Sequence, residues 1–352
     1  MESGIFHTTY ESDMALRRTP VMRWRIILAV AFIVIFPFFG NSYTLTLANT
    51  IGIVSIGAIG LNILTGFTGQ ISLGQGGFMA IGAYTSGVLV TNLGVPWFFS
   101  IPIACIVTAF VGAFFGIPSL RLKGLYLAIA TLAAQQIIQW GIVRSPLGVD
   151  ALVVPTMTIF GKSLNKIRIG PFGGSDFWFY WLIYLLMFAT ILFTVNLFRT
   201  RIGRAFIAIR DQDIAAEVMG VNLFRYKLLS FATSSFIVGL SGALLAQYRG
   251  IVNYERFTID TSIFYLAVII IGGLGSVSGS VYGAIFMVLV PAFLSNLGQV
   301  FSNVPGIARL VPFAQQAVFG LTIILFLVLE PEGIAKIWRD IKDYFRLWPF
   351  SY

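Results

Sequence analysis

At 352 residues, 57% hydrophobic and only 11% charged, with a mean hydropathy of +0.88, the chain cannot be a soluble globular domain, because such domains carry about 25% charged residues. Its formal net charge of +9 sits in short basic loops beside apolar runs, which makes it a determinant of membrane topology rather than a nucleic-acid surface. The single cysteine, Cys105, lies in an apolar run and the single histidine, His7, in a polar tail, which excludes an intrachain disulfide, haem ligation and a histidine proton relay, and leaves no metal site.

Taken in order, residues 1–22 read as a retained cytoplasmic tail, because Glu2, Glu11 and Asp13 precede Arg17 and Arg18, unlike the short basic start of a signal peptide. From Arg25 to Arg121 there is no charged residue or histidine. At about 20 apolar residues per crossing, four spans are predicted there: Ile26–Tyr43 with a kink at Pro37, Leu45–Leu64, Ile71–Leu93 and Trp97–Leu120. Arg121 and Lys123 form a polar stop before a fifth span, Leu125–Val143. Residues 144–176 are polar and rich in Gly and Pro, and form the one sizeable segment able to fold on the outer side. The sixth span is Phe177–Phe198 and the seventh Leu228–Tyr248. A second charge-free stretch, Thr261–Ala308, divides into a short run Ser262–Ile271, a glycine cluster and a span ending near Leu297. Ser262–Ile271 is too short to cross and predicts a re-entrant or broken helix. Val311–Leu329 is the last span, and an amphipathic tail follows in residues 332–352. The fold class is therefore all-α: a polytopic integral membrane protein of about ten transmembrane or re-entrant helices, with residues 23–331 as the transmembrane body. With sixteen Arg and Lys on the predicted inside and seven outside, both termini are expected in the cytoplasm.

Residues 199–227, RTRIGRAFIAIRDQDIAAEVMGVNLFRYK, organise the rest. Two apolar spans flank Arg199, Arg201, Arg204, Arg210, Arg225 and Lys227, with Asp211, Asp213 and Glu217 among them, so the loop lies outside the hydrocarbon. It predicts a short helix, Ile214–Met219, capped by Asp213 and stopped by Gly220. Ile214 and Val218 share one of its faces. Two readings stand: a helix packed back on its own protein, or one that docks in a partner's groove.

Two glycine patches interrupt apolar runs, one in each half: Gly66-Phe-Thr-Gly-Gln-Ile-Ser-Leu-Gly-Gln-Gly-Gly77 and Gly272-Gly-Leu-Gly-Ser-Val-Ser-Gly-Ser280. Such breaks are tolerated in a membrane where the backbone is buried in protein or lines a cavity, and paired breaks point to a transport path. Gly69, Ser72, Gly74, Gly272, Gly273 and Gly275, with Asn62, Gln70 and Gln75, are the candidate pathway residues. Tight helix packing is the competing account of the glycines, and amides joining helix to helix the competing account of Asn62, Gln70, Gln75, Gln135, Gln136 and Gln139. No Walker A motif and no paired intramembrane carboxylates occur, so catalysis on this chain and proton coupling are both disfavoured.

The stretches Gly60–Gln75, Phe78–Tyr84, Arg121–Thr131, Gly203–Lys227 and Gly272–Gly279 together resemble the permease subunits of bacterial branched-chain amino-acid ABC importers, in particular the longer, LivM type. The resemblance covers about residues 50 to 330. It implies that Asp211, Asp213, Ile214, Ala215, Ala216, Glu217, Val218 and Gly220 belong to the element that docks on a cytoplasmic ATPase. The family often has Glu-Ala-Ala-x-x-x-Gly there; Ala215, Ala216 and Gly220 keep the spacing, while Ile214 stands at the Glu position. Outside the fifth span, Ser145–Ala151 departs from the family's glycine-rich segment. A second, LivH-like permease, two ATP-binding-cassette subunits and a periplasmic or lipid-anchored solute-binding protein are the implied partners, in a bacterial inner membrane. This chain itself would bind no cofactor, ATP being held by the partners. The substrate stays open between branched-chain amino acids and another small solute such as urea or an organic acid. The competing classes are a gradient-driven carrier or channel and a purely structural subunit.

Overall fold

In the computed structural model the residues described are 20–119, 122, 124–144, 151–155, 158–159, 162–163, 168–169, 172–300, 307–330 and 332–347. The N-terminal tail to residue 19, the polar stop at Arg121 and Lys123, and the departure at 145–150 lie outside them. The helices are α1 (Pro20–Phe39), α2 (Ser42–Thr65), α3 (Gln75–Thr91), α4 (Trp97–Ser119), α5 (Leu125–Arg144), α6 (Ser175–Arg199), α7 (Arg201–Asp211), α8 (Asp213–Val218), α9 (Leu223–Arg249), α10 (Ile259–Gly272), α11 (Val277–Val300), α12 (Ile307–Leu329) and α13 (Ile334–Leu347).

Seven of these, α2, α4, α5, α6, α9, α11 and α12, are long and apolar enough to cross a membrane. Against the ten passes expected, the described residues thus hold seven full-length apolar helices; the apolar part of α1, Val30–Phe39, the 17 residues of α3 and the 14 of α10 are shorter. Pro37 falls at the end of α1, where it accompanies termination and not a mid-span kink. The predicted third span needs correction. Helix α3 begins at Gln75, not Ile71, because residues 69–74 belong to no helix. Ser262–Ile271 falls within α10, which is buried and too short to span.

Helix α9 is the spine. Its serines and glycines let three neighbours approach closely. A Cβ on Gly82 of α3 would lie 2.4 Å from the Gly239 carbonyl oxygen, and one on Gly242 would lie 2.1 Å from that of Met79. On its other sides, Ser234 Oγ donates to the Gly60 carbonyl at 2.7 Å and Ser241 Oγ to that of Ile53 at 2.9 Å, both on α2. In hydrocarbon there is little hydrophobic drive between helices, so close van der Waals contact and such hydrogen bonds hold them together.

At one end of the bundle Asp176, in the first turn of α6, accepts from Ser42 Oγ at 2.9 Å and from Tyr248 OH at 3.2 Å. The same end carries strands absent from the sequence reading. β1 (Ala151–Val153) pairs antiparallel with β6 (Ile251–Asn253), while β2 (Thr158–Ile159) with β3 (Lys162–Ser163) and β4 (Arg168–Ile169) with β5 (Phe172–Gly173) make two minimal ladders. Two- and three-residue strands have too little alternation to signal themselves in sequence. The opposite end holds the charged loop.

Candidate functional site

The first glycine patch begins where α2 stops. A side chain at Gly66 would place its Cβ 1.8 Å from Asn62 Oδ1, so only glycine fits, and Gly69 turns the chain in left-handed geometry at φ +71°. The chain then returns alongside α2 as a non-helical strip. Its polar groups find partners inside the protein: Gln70 N donates to the Leu64 carbonyl at 3.0 Å, Gln70 Nε2 to Ser230 Oγ at 2.8 Å, and Leu73 N to Thr131 Oγ1 at 2.9 Å. Ser72 is buried, with its Oγ 3.3 Å from Gly74 N, and Gln75 Nε2 donates to the Gly57 carbonyl at 3.0 Å. Helix α3 thus starts beside Gly57, about 12 Å inward from the end of α2 at 1.5 Å per residue.

A second broken helix starts at the same depth. Gly76 N donates to Ser262 Oγ of α10 at 2.8 Å, and Ser262 Oγ donates to Gln135 Oε1 of α5 at 2.7 Å. Gln135 Nε2 reaches the Phe257 carbonyl at 3.2 Å, and Gln139 Nε2 donates to the same oxygen. The positive ends of α3 and α10 therefore converge on one buried polar cluster. The glutamines were visible in the sequence as candidates; the part played by Ser262 was not, since a serine opening an apolar run carries no distinguishing signal.

The second glycine patch joins α10 to α11. Gly273 and Gly275 have φ +123° and +72°. Asn62 ties it to the first patch: its Nδ2 donates to the Ser276 carbonyl at 2.9 Å and to Ser280 Oγ at 2.8 Å, while its Oδ1 accepts from Gly275 N at 2.9 Å. Gly272 packs against the start of α11, where its Cβ would stand 2.1 Å from the Gly279 carbonyl oxygen. The patches are thus one structural unit at one end of the bundle.

The charged loop lies against that unit. It contains a helix the sequence reading passed over, α7, whose apolar Ala205, Phe206 and Ile209 are buried at helical spacing. That spacing was the available signal, hidden by the four arginines around it. Helix α8 runs Asp213–Val218, one residue earlier than the predicted Ile214–Met219. Asp213 is its first helical residue and not its cap; Gln212 occupies the cap position and makes no side-chain capping bond. The Asp213 carboxylate instead meets Lys227 Nζ at 3.7 Å. Gly220 is left-handed at φ +86°, with Gly220 N on the Glu217 carbonyl and Val221 N on that of Ala216.

Only Ala216 of α8 is buried. Ile214, Val218 and Met219 are 69%, 82% and 84% exposed, and Ala215, Glu217 and Asp211 are exposed with them. The apolar face does not fold back on this chain. Between the loop and the first patch lies a cavity of about 380 Å³, lined by Thr68, Gly69, Gln70, Arg210, Asp211 and Lys227 among others.

Residues 43–327 match the family described as the permease component of branched-chain amino acid transport systems. The chain is 31% identical to the high-affinity branched-chain amino acid permease LivM of Escherichia coli over 89% of its own length and 74% of the relative's. It is 26% identical to the probable branched-chain permease LivH of Methanocaldococcus jannaschii, over 81% of this chain and 89% of that one. A fructose import permease, FruG of Bifidobacterium longum, is 28% identical over 76% of each chain. No solved structure matches the chain significantly. Its multi-pass helical body, its paired glycine breaks and the match over 43–327 lead to one assignment: this chain belongs to the permease components of the branched-chain amino acid transport family.

Proposed function

We propose that this chain forms one half of the translocation path of an ATP-driven importer for branched-chain or chemically related amino acids. A second, LivH-like permease forms the other half, two ATPase subunits bind and hydrolyse ATP, and a solute-binding protein delivers cargo at the outer face of a bacterial inner membrane. The observation that carries this reading is α8, a six-residue helix whose Ile214 and Val218, with Met219 just past its end, face solvent at the charged end of a membrane protein. So short a helix is marginal by itself, and its apolar face suits a partner's groove. Asp211, Asp213, Ala215, Ala216, Glu217 and Gly220 complete this docking element.

The path itself runs, in this reading, past the meeting point of α3 and α10. Asn62, Gly69, Gln70, Ser72, Gly74, Gln75, Gly272, Gly273 and Gly275 shape its wall from behind, because their side chains or backbone are taken up in packing and hydrogen bonds within the chain. Gln136 on α5 is exposed and, in this reading, open to the second permease. The positive-inside bias supports a cytoplasmic position for α8 and for both termini.

Uptake of a panel of labelled solutes by a strain lacking this chain tests the reading. Leucine, isoleucine and valine uptake is expected to fall to background and to return with the intact gene, with fructose, urea and organic acids unaffected. Uptake that persists in vesicles depleted of ATP but energised by an ion gradient overturns it. For sidedness, single cysteines replacing Ser163 and Ser351, in a chain with Cys105→Ser, should differ in intact cells: an impermeant thiol reagent labels the first and spares the second. Labelling of both refutes the cytoplasmic C-terminus.

A further inference from the structure

The three stretches singled out separately in the sequence, two glycine patches and a charged loop, meet at one side chain. Arg210 is the penultimate residue of α7, three positions before the first residue of α8. Its Nη1 donates to the Gly66 carbonyl at 3.1 Å, one of the carbonyls left without a helical partner at the end of α2. A cation is favoured there by the negative end of the helix. Its Nε is 3.0 Å from Asp211 Oδ1, which orients the guanidinium. Its Cγ lies where Gly69 has no side chain, 3.2 Å from the Cβ position, and Nη1 lies 2.8 Å from the Cβ position of Gly275. A methyl group at either glycine would press on the arginine. From Gly66 the contact continues through Asn62 to Gly275, Ser276 and Ser280 at the α10–α11 turn. Phe67 stacks on Phe198, the residue before Arg199, at 3.8 Å between ring centroids, and so secures the same turn to the end of α6.

We propose that Arg210 is the positioning residue through which movement of α8 reaches both broken helices of the permease. A docked ATPase moves α8; the rigid guanidinium fork carries that displacement to Gly66 and Gly275, the turns that adjoin α3 and α10. Arginine bonds the Gly66 carbonyl while the same nitrogen lies against the open face of Gly275; lysine, with one point of charge on a flexible stem, lacks the planar fork that fixes this placement. This inference rests on the importer reading and adds the internal link to it.

The test uses the complete importer in liposomes: this chain, the second permease, the ATPases and the binding protein, with labelled leucine as cargo. ATP hydrolysed and leucine taken up are measured together. Arg210→Gln is expected to keep its ATPases at the normal ratio and to hydrolyse ATP normally, while leucine moved per ATP falls about tenfold. Arg210→Lys should fall in between. An unchanged leucine-to-ATP ratio in Arg210→Gln overturns the proposal, as does a loss of hydrolysis and uptake together through undocked ATPases, which would make Arg210 a docking residue. A second measurement leaves Arg210 intact. Spin labels on Gln212→Cys and Leu274→Cys, in a Cys105→Ser background, should keep one separation in the nucleotide-free and ATP-bound states. A separation that shifts with nucleotide overturns the link even where the Arg210 variants fail to fold. Leucine uptake that needs no ATP at all would instead overturn the importer reading.

Discussion

Val218→Asp is expected to leave the permease in the membrane but to strip it of its ATPases and abolish most uptake. Val218 is 82% exposed in this chain, so its replacement disturbs little of the chain's own packing. Docked, the same side chain would be buried beside Ile214 and Met219. Burying an aliphatic side chain of that size is worth about 1.5–3 kcal/mol. At about 1.4 kcal/mol per factor of ten, losing it weakens docking by roughly tenfold to a hundredfold. A carboxylate carried into the groove adds a desolvation cost on top. Glu217→Gln, next to it but polar and exposed, should change docking by less than about threefold. Co-purification of ATPases with the tagged permease reads the effect directly. ATPases retained at the normal ratio by Val218→Asp, with normal solute-stimulated hydrolysis, would remove α8 from the interface.

Gly242→Leu should have the largest effect on the fold itself. The Cβ position at residue 242 is 2.1 Å from the Met79 carbonyl oxygen and 3.1 Å from Ala83 N, both of them backbone, so no side-chain rotation relieves the clash. Helices α3 and α9 would have to separate, and with them the Gly82–Gly239 contact one turn away. Overpacking costs about 1–3 kcal/mol, at its upper end where only backbone can give way, which is roughly a hundredfold in the folded population. Gly320→Leu is the control, because nothing lies within 4 Å of its Cβ position on α12. Size-exclusion of the fluorescently tagged protein in detergent should show a monodisperse peak for Gly320→Leu and aggregate for Gly242→Leu. A normal peak for Gly242→Leu would mean that α3 and α9 do not cross this closely.

Much of this architecture was legible because a bilayer simplifies the code. Absence of charge marks a span, arginine marks its end, and glycine clusters mark where a helix breaks. That logic located α2, α4, α6, α9 and α12 to within a few residues. It placed the third span too early, since Ile71 and Leu73 are apolar and no charge interrupts the run; what unwinds it is tertiary, the bonds of Gln70 to Ser230 and of Leu73 to Thr131. The position of α8, to within one residue, and the left-handed stop at Gly220 were legible because helix ends obey local rules. Its cap was misassigned because Asp213 is drawn to Lys227, 14 residues on, rather than to its own backbone. Of the candidate residues, Asn62, Gln70 and Gln75 were recognisable as buried amides, but which helices they join depends on contacts up to 218 residues apart. The junction at Arg210 left no mark in the sequence beyond one arginine among several.

The pairing of β1 with β6 bears on how the chain is made. Ala151–Val153 leave the ribosome about a hundred residues before Ile251–Asn253, and helices α6 to α9 are threaded between them. Until α9 has been inserted, the backbone N–H and C=O groups of β1 lack their ladder partners. Such long-range closure comes late and slowly in assembly. A nascent chain stalled before residue 251 should therefore expose the 151–153 segment to added protease, and a chain released with α9 in place should protect it.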